Sequence, residues 1–156
     1  MKHFVSQLAL ASAMSVAGLA AHAANTEITV AMQLEPPHLD PTSAAAGAID
    51  SVLYSNVFEG LTRFMGDGSV VAGLAKSWDI SDDGLVYTFI LHDNVLFHDG
   101  STMDAEDVQF SLNRARADDS TNAQKALFAG ITDVSTLDAA TVVVTLEAPN
   151  GNFLFN

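Results

Sequence analysis

The 156-residue sequence contains no cysteine, so no disulfide can staple the chain, and no thiol is available for a lipid anchor. Stability has to come from a buried apolar core. Cations are nearly as scarce: six Lys and Arg stand against 19 Asp and Glu, a formal charge of −13. Arg63, Lys76, Arg114, Arg116 and Lys125 are scattered along the chain and form no patch. That distribution argues against nucleic acid, which needs clustered cations over its phosphates. It argues equally against adhesion to an anionic membrane surface. The acids read as a solubilising surface. No Gly-x-Ser-x-Gly, phosphate-binding loop or His-Glu-x-x-His occurs, and there is neither an internal repeat nor a low-complexity tail.

The one long apolar run is at the start. Lys2 is followed by Phe4 to Ala20, rich in Leu, Ala, Val and Met, and then by Ala21-His22-Ala23. The run is short for a membrane span, is broken by Ser6, Gln7, Ser12 and Ser15, and ends in a small-x-small cleavage pattern. It reads as a secretory signal over residues 1–23 rather than a membrane anchor. The remaining 133 residues keep five cations against 19 acids, hence −14, and enough Val, Leu and Phe for a core. No membrane insertion of this mature part is expected.

Ile28, Val30 and Met32 alternate with Thr29 and Ala31, the pattern of a short strand. Pro36, Pro37 and Pro41 then remove three backbone donors and predict an extended loop. Ile49, Leu53, Val57 and Leu61 fall four apart, predicting a helix from about Ala44 to Glu59 that ends at Gly60. Gly66-Asp67-Gly68 is a turn signal. Ser77–Ile80 and Leu85–Leu91 read as two strands joined by Ser81-Asp82-Asp83-Gly84, and Val95–Phe97 as a further short strand. His98-Asp99-Gly100 turns the chain. Asp104, with Glu106 and Asp107 after it, suits a helix N-cap, and Arg114 and Arg116 suit that helix's last turn. Gly130–Ser135 and Thr141–Leu146 read as a last strand pair around Leu137–Ala140, stopped by Pro149.

Five segments occur in a fixed order: Pro37-His38-Leu39-Asp40-Pro41; Val57-Phe58-Glu59-Gly60-Leu61-Thr62-Arg63-Phe64; Gly73-Leu74-Ala75-Lys76-Ser77-Trp78; Ser81-Asp82-Asp83-Gly84-Leu85-Val86-Tyr87-Thr88-Phe89; and Phe97-His98-Asp99-Gly100 with Ala105-Glu106-Asp107-Val108-Gln109-Phe110-Ser111-Leu112. In that order and spacing they resemble family 5 of the bacterial solute-binding proteins, the dipeptide and oligopeptide binding group. The sequence departs from the family pattern at His92, Ala72 and Asp104, which are surface, turn and cap positions.

The resemblance implies an α/β fold of the periplasmic-binding-protein-like (class II) type. In it two lobes close over a ligand by a hinge, and only the N-terminal portion is present here. It implies that residues 24–58 begin the main ligand-binding lobe. Residues 59–156 would build a smaller α/β subdomain on that lobe, truncated at its C-terminal end. It implies periplasmic delivery of a peptide or other small-molecule ligand to the permease subunits of an ABC transporter, with no catalysis and no resident cofactor or metal. By the same resemblance the loop Thr42, Ser43, Ala44, Ala45, Ala46 and Gly47 borders the ligand cleft. Its small residues would let a ligand approach the backbone, although Ala also suits a helix start. Glu35 is a candidate partner for a ligand's amino group, if it is not merely solvated. Asp40 reads as a turn-fixing residue.

Other constellations carry less. Asp79 to Gly84 imitates the start of a calcium loop, but position 12 is Ile90 where a bidentate Glu is needed. His92, His98 and Asp99 lack a further metal ligand. Trp78, Tyr87 and Phe89 could be a ligand platform but suit subdomain core better. Two other functions remain open at this point: an exported hydrolase, for which no nucleophile or carboxylate pair is evident, and an inactive, aggregation-prone truncated product.

Overall fold

A computed structural model describes residues 27, 29–43, 47–54 and 56–155. The chain divides into two units, Met1–Ala31 and Met32–Asn156. In the first, the described residues Glu27 and Thr29 to Ala31 are exposed and pair with no strand. The strand expected around Ile28–Met32 is therefore not formed over its described residues. An alternating pattern makes a strand only where a neighbour supplies hydrogen bonds, and none of the described residues does so here.

The second unit opens with the proline-bearing loop. Asp40 fixes it by accepting from the Thr42 amide at 2.8 Å and the Thr42 hydroxyl at 2.6 Å. Helix α1 spans Gly47–Leu53, with Ile49 and Leu53 buried. It stops well before Glu59. The Leu53 carbonyl accepts from Asn56, Val57 and Phe58, and the Asn56 side chain caps the Val52 carbonyl. These bonds close a tight turn in place of another helical one. Val57 consequently leaves the stripe and is 44% exposed.

Strands β1 (Thr62–Phe64) and β2 (Val70–Ala72) form an antiparallel hairpin around Gly66-Asp67-Gly68. Strands β3 (Ala75–Ile80), β4 (Val86–Leu91), β5 (Ile131–Asp138) and β6 (Thr141–Leu146) form a four-stranded antiparallel sheet in the order β3-β4-β6-β5. Two hairpins, β3–β4 and β5–β6, are thus joined edge to edge by the pairing of β4 with β6. In that pairing Tyr87 faces Val144 and Phe89 faces Val142. Because paired residues share a face, Tyr87, Phe89, Leu91, Val142, Val144 and Leu146 form one buried apolar layer.

Helix α2 (Ala105–Arg116) covers this layer with Ala105 and Val108, while Leu112 packs at its margin. Asp104 and Asp107 make a reciprocal capping box at its start. Two of its side chains also bind the outer edge of β5: Gln109 donates to the Val134 carbonyl at 2.6 Å and Arg116 to the Ile131 carbonyl at 2.8 Å. These bonds occupy acceptors that an edge strand would otherwise leave open. Val95–Phe97 is no strand; a single bridge, Leu96 to Thr102, forms before Asp104 starts the helix. Tyr87 and Phe89 are core and Trp78 is packed against it. Short 3₁₀ turns, Lys125–Phe128 and Phe153–Phe155, close the unit, and Phe153 meets the Tyr87 ring edge-on at 4.7 Å.

Candidate functional site

A concavity of the second unit has a volume of about 560 Å³. One wall is Pro41 and Thr42 from the proline loop together with Asp50 and Tyr54 from the α1 region. Glu59, Arg63 and Phe64 around β1 and Asn122, Gln124 and Phe128 after α2 line it as well. Each group is there for a local reason. Ile49 and Leu53 anchor α1, which turns Asp50 and Tyr54, four apart, onto a shared neighbouring face. The Asn122 carboxamide accepts the Gln124 amide at 2.9 Å and fixes that loop.

The electrostatics are one-sided. Glu59 and Arg63 pair at 3.5 Å with about half of each side chain exposed, so they largely neutralise one another. Among the described residues Asp50 has no ion pair, and its Oδ1, shut off from solvent, has no hydrogen-bond donor. Burial, and then the Asp50 charge, push the Tyr54 hydroxyl above its ordinary value. At the rim, the Thr42 hydroxyl and amide hold Asp40 below the ordinary carboxylate value.

The residues singled out from the sequence are distributed unevenly around this site. Thr42 lines it and is half-buried. Ser43 is exposed, its hydroxyl 3.3 Å from His38 Nε2. Gly47 begins α1, and its carbonyl accepts the Ser51 hydroxyl at 2.8 Å. Ala44, Ala45 and Ala46 lie outside the described residues. Glu35 is exposed and lines neither this concavity nor a second, more apolar one of about 400 Å³ beside Phe58, Leu74 and Met103. Asp50, Tyr54 and Arg63 were not singled out from sequence. The available signal was the Asp50–Tyr54 spacing, one position off the Ile49–Leu53 stripe. Among the described residues no group of three or more His, Asp and Glu is arranged around a metal site, and no helix is long and apolar enough to cross a membrane.

Comparison with known proteins gives the lineage. Residues 69–156 match the family model of bacterial extracellular solute-binding proteins, family 5, middle region. The chain belongs to that family. It is 37% identical over 118 residues to a glutathione-binding protein, GsiB, of Pectobacterium atrosepticum, which covers 76% of this chain and 23% of that protein. Among solved structures it is similar to NikZ from Campylobacter jejuni in complex with Ni(L-His), with a TM-score of 0.69, 37% identity, and coverage of 78% of this chain and 24% of that one. A periplasmic oligopeptide-binding protein, OppAIV of Borrelia burgdorferi, aligns with a TM-score of 0.70 and 30% identity over 77% of this chain and 27% of that one. The chain thus spans about a quarter of the length of these relatives. The family is one of binding proteins, not enzymes, and its solved members have the periplasmic-binding-protein fold.

Proposed function

We propose that this chain is part of the periplasmic substrate-binding component of an ABC importer for peptides or similar small solutes. The observation that carries this reading is the family membership of residues 69–156. The concavity beside Thr42 adds to it: about 560 Å³ suits a di- or tripeptide-sized solute, and its rim belongs to the loop that family resemblance assigns to the cleft. Relatives named for glutathione, a nickel–histidine complex and oligopeptides point to small polar solutes as the ligand class. Residues 1–23 serve as the export signal in this reading, and the permease subunits of the transporter are the protein partner. Thr42, Ser43, the Ala44–Ala46 run and Gly47 border the ligand in this reading; Glu35, outside the lining of the concavity, stays a candidate partner for its amino group. Residues 24–58 start the ligand-binding lobe and 59–156 form the subdomain.

A thermal-shift panel of glutathione, di- and oligopeptides and the nickel–histidine complex tests this. At least one ligand should raise the melting temperature saturably. A flat response to all of them contradicts the assignment.

A further inference from the structure

The turn after β6 carries the sequence's only Asn-Gly pair, Asn150-Gly151. Asparagine is a thermolabile residue, because the backbone nitrogen of the residue after it can attack its carboxamide carbon. A side chain on that next residue hinders the approach, and glycine has none. Asn25, Asn56, Asn94, Asn113, Asn122 and Asn152 all precede a residue with a Cβ.

The local geometry favours the same step. Asn150, Gly151 and Asn152 are exposed, so water reaches the pair. The Asn150 Oδ1 accepts the Asn152 amide at 3.0 Å. That bond closes a short ring that includes the Gly151 nitrogen, and it draws electron density from the carboxamide carbon. Among the described residues the Gly151 amide donates no hydrogen bond. Beyond its chain neighbours, nothing lies within 4 Å of a Cβ placed on Gly151, so there is space for a ring to form. The Asp-Gly pairs at Asp67, Asp83 and Asp99 lack this combination. Their carboxyls accept hydrogen bonds that hold them ionised, and a carboxylate has no ammonia to expel.

We propose that Asn150-Gly151 is a self-modification site that converts to isoaspartate and thereby loosens the Phe153–Phe155 turn. The Gly151 nitrogen bonds to Asn150 Cγ and gives up its proton. The Cγ–Nδ2 bond breaks, and Nδ2 leaves as ammonia with that proton. Water then opens the five-membered imide at one of its two carbonyls. Opening at the main-chain carbonyl reroutes the backbone through Cγ, which lengthens it by one methylene and turns that carbonyl into a free carboxylate. In the unmodified turn the same carbonyl accepts the Tyr87 hydroxyl at 3.2 Å and the Phe153 amide at 3.1 Å. Beyond it, Phe153 meets the Tyr87 ring, the Leu154 carbonyl accepts the Thr62 hydroxyl at 2.8 Å, and Phe155 lies edge-on to Phe64. The turn therefore ties β1 to the sheet, and Asn150 anchors the tie.

The test ages the purified full chain in mildly alkaline buffer, then reads its peptides by mass spectrometry and by isoaspartate-specific methylation. Asn150 should deamidate at least about tenfold faster than Asn113, Asn122 or Asn152, with isoaspartate the major product. G151A, for which the turn has room, should remove most of that excess. N150D supplies the new charge without lengthening the backbone. Its Phe153 amide should exchange with deuterium as in the native chain, whereas the isoaspartate form should exchange faster. Deamidation at Asn150 no faster than at the other asparagines overturns the proposal, and that result needs no variant. An unchanged rate in folded G151A overturns it too, as does isoaspartate accumulating first at Asp67, Asp83 or Asp99. Equal Phe153 exchange in N150D and the isoaspartate form overturns the loosening of the turn.

Discussion

Much of the irregular backbone is written by single residues. Asp67-Gly68-Ser69 and Asp99-Gly100-Ser101 are the same turn built twice. In each, the Asp Oδ1 accepts from the Ser amide at 2.9 Å and from the Ser hydroxyl at 2.7 Å. In each, the Gly takes a positive φ, 88° and 87°, that other residues adopt at a cost. Hydrogen bonding favours the charged form, so Asp67 and Asp99 are held below the ordinary carboxylate value, as are Asp40, Asp83 and Asp138. A carboxylate depressed in the folded state contributes stability that is present above its unfolded value and lost as pH falls through its folded one. Relief of acid–acid repulsion works in the opposite direction on a chain this negative. The informative quantity is therefore the difference between native chain and the double variant D67N/D99N. Below about pH 4 the native chain should lose urea resistance more steeply than the variant. Parallel pH profiles would contradict this. Gly73 is a second residue-level constraint. A Cβ there would lie 2.5 Å from the Gly60 carbonyl oxygen and 3.1 Å from that of Leu61. G73A should cost about 1–3 kcal/mol in denaturant unfolding, and a neutral effect would mean that the two backbones separate freely.

At the scale of elements, the signals that succeeded were local and chemical. Asp104 and Asp107 read as a helix start and form a capping box, and Ser81–Gly84 reads as the loop it is. D104A leaves the Glu106 amide without its 2.8 Å acceptor. It should destabilise the chain by about 1 kcal/mol, measurable as a shifted urea midpoint with an unchanged slope. The signals that failed were periodicities without local support. Val57 and Leu61 continue the spacing of Ile49 and Leu53, yet three donors converging on the Leu53 carbonyl end α1. Thr62–Phe64 and Val70–Ala72 are too short to show an alternation, so only their turn was legible. The order β3-β4-β6-β5 was not legible at all. Joining β4 to β6 depends on α2 and the residues after it folding back over the sheet, which no window of sequence contains.

For the molecule as a whole, lineage was legible because five segments keep their order across residues 37–112, and the family match over 69–156 agrees with it. The candidate site was legible only at its rim. Thr42 could be pointed to from its loop, whereas Asp50, Arg63 and Gln124 come together through folding between elements far apart in sequence. The central claim is that a small solute is held in this concavity. Its most direct test is to map, by amide chemical shifts, where the strongest ligand among glutathione, dipeptides and nickel–histidine binds. The account predicts saturable changes clustered at Thr42, Gly47, Asp50 and Tyr54. Changes confined to the β3–β4 loop at Ser81–Gly84, or none with any of the ligands, would contradict it.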